Sequence, residues 1–136
     1  MTNIFKPRIP LEDEDCEALV RWMSLKRLRF GHIANENKAE SRRVAAIRGA
    51  KRYRMGVRKG VPDYVIVIPA GANRPQRLLF LEMKRKKSVP SDVSPEQREW
   101  LADLGACAGV TALVAKGYDE AVAIIERELK SQEQPA

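Results

Sequence analysis

Residues Leu79–Lys87 read LFLEMKRKK: an apolar strand that ends in a run of cations. Inside it an acid and a base stand two residues apart, Glu82 and Lys84. Side chains alternate along a strand, so these two share a face about 6.5 Å apart. Such a strand end is either a solvated edge or a place where a carboxylate and an ammonium act together on an anion.

The segments around it decide between these. Upstream, PDYVIVIP (62–69) is a continuous apolar, β-branched run that predicts a strand buried on both faces. The intervening AGANRPQ carries Gly and Pro, so the two strands form a hairpin. Downstream, SPEQREWLADLG (94–105) has Ser at the N-cap, Pro at the first helical position, Gln97 at the third and Gly at the end, which predicts a helix. VTALVAK (110–116) predicts a third strand, and YDEAVAIIERELK (118–130) a closing helix with Ala121, Ile124, Ile125 and Leu129 inward.

Nearer the N-terminus, Pro10 opens a helix whose first turn holds Glu12, Asp13, Glu14 and Asp15, favourable against the helix dipole. Cys16, Leu19, Val20 and Met23 follow as its buried stripe. RLRFGHIANEN (27–37) predicts a short extended segment leading into a loop. Residues 41–53 predict a second, very basic helix around Val44 and Ile47, broken by Gly56 and Gly60. The order α, β, α, β, β, α, β, α predicts an α/β protein: a mixed sheet flanked by helices.

Length and composition set the frame. The 136 residues suit one domain over 1–130, with 131–136 as a frayed tail. An apolar share of 44% and a charged share of 32% are globular values, against a disordered chain. No apolar run reaches the roughly 20 residues a bilayer requires, and MTNIFKPRIPLEDEDCE lacks the apolar core of a signal peptide. Cys16 and Cys107 are too few for a disulfide framework. A cytoplasmic location is the expectation. The net charge of +7 points to a polyanion. It is also segregated: LEDEDCE (11–17) is acidic, whereas Lys38–Lys59 holds nine Lys/Arg against the single acid Glu40.

Asp63 starts the strand that pairs with Leu79–Lys84, and paired strands lie about 4.8 Å apart. Asp63 and Glu82 at that separation suit one hard cation, since Mg²⁺ takes oxygen ligands at about 2.0–2.1 Å. The backbone carbonyl of Met83 would add a ligand. Lys84 would orient or deprotonate the attacking water and offset charge in the transition state. Its positive charge is expected to keep the carboxylates ionised at neutral pH. A Glu-x-Lys triplet alone is common by chance; what sharpens it is its place at a strand end beside Pro62-Asp63. The bland alternative is a turn-capping Asp63 and an exposed Glu82–Lys84 pair.

Several motifs now fall in order: GVRKGVPDYVIVIP (56–69), LLFLEMKRKK (78–87) and VSPEQREWL (93–101). Together they resemble the virus-type replication-repair nuclease (VRR-NUC) domain of the PD-(D/E)xK nuclease superfamily. Its Gly-Val-Pro-Asp corresponds to Gly60, Val61, Pro62 and Asp63, its Glu-x-Lys to Glu82 and Lys84, and its Ser-x-x-Gln to Ser94 and Gln97. FGHIANEN (30–37), with Asn35 and Glu36, is similar to phage-type members, which makes a phage or prophage origin the expectation. The resemblance implies a restriction-endonuclease-like fold. It also implies Mg²⁺- or Mn²⁺-dependent hydrolysis of phosphodiesters, leaving 5′-phosphate and 3′-hydroxyl ends.

The same resemblance places an acid of the first helix at the metal. Glu12 stacks on Cys16, Leu19 and Met23 and is the first candidate; Asp15, about 60° off that stripe, is the second. Where a typical member has Gln after this acid, this chain has Cys16. Gln97, besides capping its helix, is implied to stand near the site, bonding the attacking water or a phosphate.

Lys38, Arg42, Arg43, Lys51, Arg52, Arg58 and Lys59, with Arg85, Lys86 and Lys87, flank the site in sequence and are expected to grip phosphates without reading bases. His32 is the only histidine and suggests packing or a phosphate contact, not zinc. Trp22 and Trp100 read as core. Tyr53 and Tyr64 could stack on bases, but no aromatic pattern supports that. Single-domain relatives resemble Holliday junction resolvases, and two symmetric cuts suit a homodimer. Larger relatives such as the Fanconi-associated nuclease cut flaps, so flap or non-specific cleavage is the alternative, and a catalytically silent binding module the remoter one.

Overall fold

A computed structural model describes residues 12–33 and 42–131. The elements are α1 (Glu12–Leu25), β1 (Arg29–His32), α2 (Arg42–Arg54), β2 (Tyr64–Ile68), β3 (Arg77–Lys84), a short 3-10 turn (Pro90–Asp92), α3 (Pro95–Gly105), β4 (Val110–Lys116) and α4 (Gly117–Ser131). The sheet has four strands in the order β1-β2-β3-β4. The first two pairings are antiparallel and β3–β4 is parallel, with α3 in the crossover that a parallel pair requires. This is the expected α/β class with a mixed sheet. Asn35, Glu36 and Lys38 lie outside the described residues, as do the residues after Ser131.

One face of the hairpin carries the core. Tyr64, Ile66 and Ile68 of β2 and Leu79, Leu81 and Met83 of β3 are buried against Leu19 and Met23 of α1 and Ala121, Ile124 and Ile125 of α4. An ion pair of 2.9 Å between Arg77 and Glu128 ties the start of β3 to the end of α4. The alternation of a strand sends Phe80, Glu82 and Lys84 to the opposite face.

Three expectations need correction. β2 is not buried on both faces: Val65 and Val67 are only half-buried, because the helices that enclose the core cover one side of the hairpin. The buried line of α1 is Asp15–Leu19–Met23, at i, i+4 and i+8, with Cys16 and Val20 at its margin. Trp22 borders the core and Trp100 is half-buried, so neither is a central core residue.

Candidate active site

The site is built where three chain segments meet. Tyr64 pairs with Leu81, so one further step along the antiparallel register sets Asp63 across from Glu82. Asp63 is gripped on both sides. Its Oδ2 accepts the Met83 N–H at 2.7 Å, and its backbone carbonyl accepts the Ile33 N–H at 2.7 Å. The turn before it presses on α3: a Cβ on Gly60 would stand 2.6 Å from the Glu96 carbonyl carbon and 2.7 Å from the Gln97 nitrogen. Gly60 also has φ +91°, so a residue without a side chain is required there twice over.

The start of α3 is a reciprocal cap. Ser94 Oγ accepts the Gln97 N–H at 3.1 Å, and the Ser94 N–H donates to Gln97 Oε1 at 2.9 Å. The amide nitrogen of Gln97 is thereby aimed outward, and it donates to Glu82 Oε1 at 2.8 Å. The bonds on both ends of the amide fix which end is nitrogen. Gln97 therefore caps its helix, as its spacing from Ser94 predicts, and also holds a carboxylate of the site.

Glu82 is 3% exposed. Lys84 Nζ lies 3.6 Å from the same Oε1, an ion pair too long for a hydrogen bond. The pair is enclosed, which removes the bland reading of an exposed strand end. Glu82 Oε2 is buried with no partner. Burial, then the charge of Asp63, pushes the Glu82 carboxyl up to about 8, against the opposing pull of Lys84 and with a small addition from Glu12. The expectation that Lys84 keeps Glu82 ionised at neutral pH fails here, because desolvation of a carboxylate outweighs one cation at that distance.

Would these residues suit a divalent cation? The orphaned Oε2 and the two opposed carboxylates do: a hard cation would satisfy the bare oxygen and cancel the repulsion that raises the Glu82 pKa. The structure brings together Asp63, Glu82, Lys84 and Gln97, with Met83 between the two acids and wholly buried. Among the described residues no three Asp, Glu, His or Cys side chains gather as a metal-ligating group. Glu12 is half-exposed at the first residue of α1, though its charge reaches Glu82. Asp15 is 7% exposed and its Oδ2 lacks a partner, 3.7 Å from where a Cβ on Gly117 would stand.

The cations divide into groups. Arg85, Lys86 and Lys87 are exposed directly after Lys84. Arg43, Lys51 and Lys59 are exposed and Arg52 is half-exposed, while Arg42 stands at the first residue of α2. Arg58 is exposed but tied to the chain, stacked 3.8 Å over the Tyr53 ring and donating to the Tyr53 carbonyl at 2.7 Å. Tyr64 cannot stack on bases: it is 3% exposed, hydrogen-bonded to Cys16 and in tilted contact with His32 at 5.1 Å. Burial pushes the Cys16 thiol up to about 11, so it stays protonated and unreactive at neutral pH. One neighbour escaped the sequence reading. The parallel register sets Lys116 beside Lys84, and nothing in local spacing reveals a partner contributed by another strand.

Known proteins share the domain and the fold. The VRR-NUC domain model matches residues 10–119. A solved structure titled a VRR_NUC domain protein is similar at 27% sequence identity and a TM-score of 0.66, over 93% of this chain and 93% of that one. No curated protein matches the sequence. Since the family model spans most of the chain, and the Gly60–Asp63 turn and the Glu82–Lys84 pair it would contain meet at one site, the chain belongs to the VRR-NUC family of nucleases.

Proposed function

We propose that this nuclease is a divalent-metal-dependent, structure-selective DNA endonuclease, a Holliday junction resolvase acting as a homodimer in the cytoplasm of a bacterial or phage-infected cell. The observation that carries the metal-dependent reading is the buried, partnerless Oε2 of Glu82, on a carboxyl whose ionisation the charge of Asp63 opposes. Asp63, Glu82 and the Met83 carbonyl would hold Mg²⁺ or Mn²⁺, with Glu12 as a further ligand. Bound there, the cation would act as a Lewis acid on a phosphate oxygen and compensate developing charge.

The chain's own groups do the rest. Gln97 keeps the Glu82 carboxylate in one orientation, its own amide locked by the helix cap. Lys84, on the same strand face as Glu82, offsets the charge that grows on the phosphoryl oxygens and orients or deprotonates the attacking water. Water attacks phosphorus, the bond to the 3′ oxygen breaks, and 5′-phosphate and 3′-hydroxyl ends result. Arg85, Lys86 and Lys87 continue from the strand end and suit a phosphate backbone leading away from the cut. The choice of junctions rests on the resemblance to single-domain resolvases.

The test is cleavage of four-way junction, flap and duplex DNA with and without Mg²⁺ or Mn²⁺. Metal-dependent cutting with junctions preferred is expected. Asp63→Asn and Glu82→Gln are nearly isosteric but remove charge, so each abolishes cleavage and leaves binding close to normal. Near wild-type cleavage by either variant ends the metal-site reading, and equal cutting of all three substrates ends the junction preference.

A further inference from the structure

β3 and β4 run parallel, and their register extends the site sideways onto a second strand. Met83 pairs with Ala115, and both are wholly buried in the core. Alternation therefore sends the next pair, Lys84 and Lys116, to the opposite face, which is the face of Glu82. Lys116 is half-buried there. Its backbone is fixed on both sides. The Lys116 N–H donates to Glu120 Oε1 at 3.2 Å, and Gly117, at φ +81°, starts α4 with no loop between strand and helix. The ammonium group is thus carried on a flexible stem that leaves a rigid strand end.

Two lysines side by side on paired strands repel. A fold accepts such a local cost where a site uses it. Here the pair closes a row across the sheet. Asp63 stands at the entry of β2, Glu82 and Lys84 follow on β3, and Lys116 comes next on β4, one strand spacing of about 4.8 Å further. Lys84 is tied to the site's acid, 3.6 Å from Glu82 Oε1. Lys116 lies one strand further from both acids, on the last strand of the sheet among the described residues. The two ammonium groups therefore address different points along an anion that crosses the row. A polymer with regularly spaced phosphates meets both.

We infer that Lys116 is a further substrate-binding residue, which holds the phosphate next to the scissile one on the cleaved DNA strand. A strand pinned at that second point sets the scissile phosphate against Asp63, Glu82 and Lys84. Lysine suits the task, since it meets phosphate as a point charge and reads no base. The inference rests on the reading of this chain as a metal-dependent DNA nuclease.

Single-turnover cleavage by the full chain at subsaturating enzyme tests it, on whichever of the junction, flap and duplex substrates the wild type cuts. One phosphate flanking the cut is replaced at a time by an uncharged methylphosphonate. Lys116→Gln keeps the backbone bond to Glu120 and should slow cleavage of the unmodified DNA by about tenfold. One methylphosphonate position should slow wild type by a similar factor and leave Lys116→Gln no slower, because the contact is already gone. At the other positions the two losses should multiply. Lys130→Gln removes the same charge from the last turn of α4 and should leave the rate unchanged. Four results overturn the inference: a wild type indifferent to every methylphosphonate; a wild-type rate in Lys116→Gln; losses that multiply at every position, as a merely structural lysine gives; or an equal loss from Lys130→Gln, which assigns the effect to net charge. With wild-type cleavage intact, each of these leaves the nuclease reading standing. No cleavage by wild type with either Mg²⁺ or Mn²⁺ removes both.

Discussion

Gln97 donates to Glu82 Oε1 at 2.8 Å while its own Oε1 accepts the Ser94 N–H at 2.9 Å. One side chain therefore joins a helix cap to a buried carboxylate, and the two roles separate by mutation. Ser94→Ala removes the hydroxyl half of the cap and should cost about 1 kcal/mol of stability. Gln97 keeps its backbone partner in that variant, so cleavage should persist. Gln97→Ala removes both roles and should slow cleavage by about tenfold, roughly 1.4 kcal/mol. Thermal unfolding and single-turnover cleavage, measured on both variants, check this; equal losses of rate would mean that Gln97 is only a cap.

Lys84→Met addresses the transition state. Lys84 shares a face with Glu82 and lies 3.6 Å from its Oε1. Its loss should slow bound-state cleavage by about a hundredfold, roughly 2.7 kcal/mol, with little loss of affinity. Arg85, Lys86 and Lys87 are exposed and serve as controls. Replacing them should weaken binding more than the bound-state rate. If Lys84→Met behaves like those three, the strand end is a phosphate patch and no more.

Glu82 also sets a pH dependence. Its carboxyl titrates near 4.5 when unperturbed and is pushed up to about 8 in the fold, chiefly by burial. The folded state therefore holds the proton more tightly than the unfolded chain. The contribution to stability is full below about 4.5 and is lost as pH rises through about 8. In EDTA, the stability of wild type should fall relative to Glu82→Gln as pH rises between those limits, by an amount on the order of a few kcal/mol, read as a lowered melting temperature. Mg²⁺ or Mn²⁺ should close the gap at the alkaline end. A difference between the two proteins that is flat with pH would show that the buried carboxyl is not the titrating group.

Binding should be steeply salt-dependent and nearly blind to base sequence. If the two basic segments together neutralise about six phosphates, log K should fall against log salt with a slope near −5. Titration of labelled junctions of unrelated sequence over a salt series measures it. A slope near zero would assign these cations to solvation of the surface alone.

Much of this site is local, and local features are legible. The two-residue period of a strand puts Glu82 and Lys84 on one face whatever surrounds them. The Ser94–Gln97 cap and the Gly60 turn depend on bonds and dihedrals within a few residues, and the hairpin follows from two β-branched runs around a Gly/Pro loop. These determine that Asp63 stands at the entry of the strand paired with the one that carries Glu82. Tertiary packing decided the rest. It enclosed Glu82, so that desolvation overrode Lys84 and reversed the expected ionisation. It turned the free end of Gln97 onto Glu82, 15 residues away in sequence, and brought Lys116 beside Lys84 from a separate strand. It also buried Asp15 in the line of Leu19 and Met23. Periodicity and capping are properties of neighbouring residues, whereas desolvation and contacts between strands exist only once distant segments have displaced the water between them.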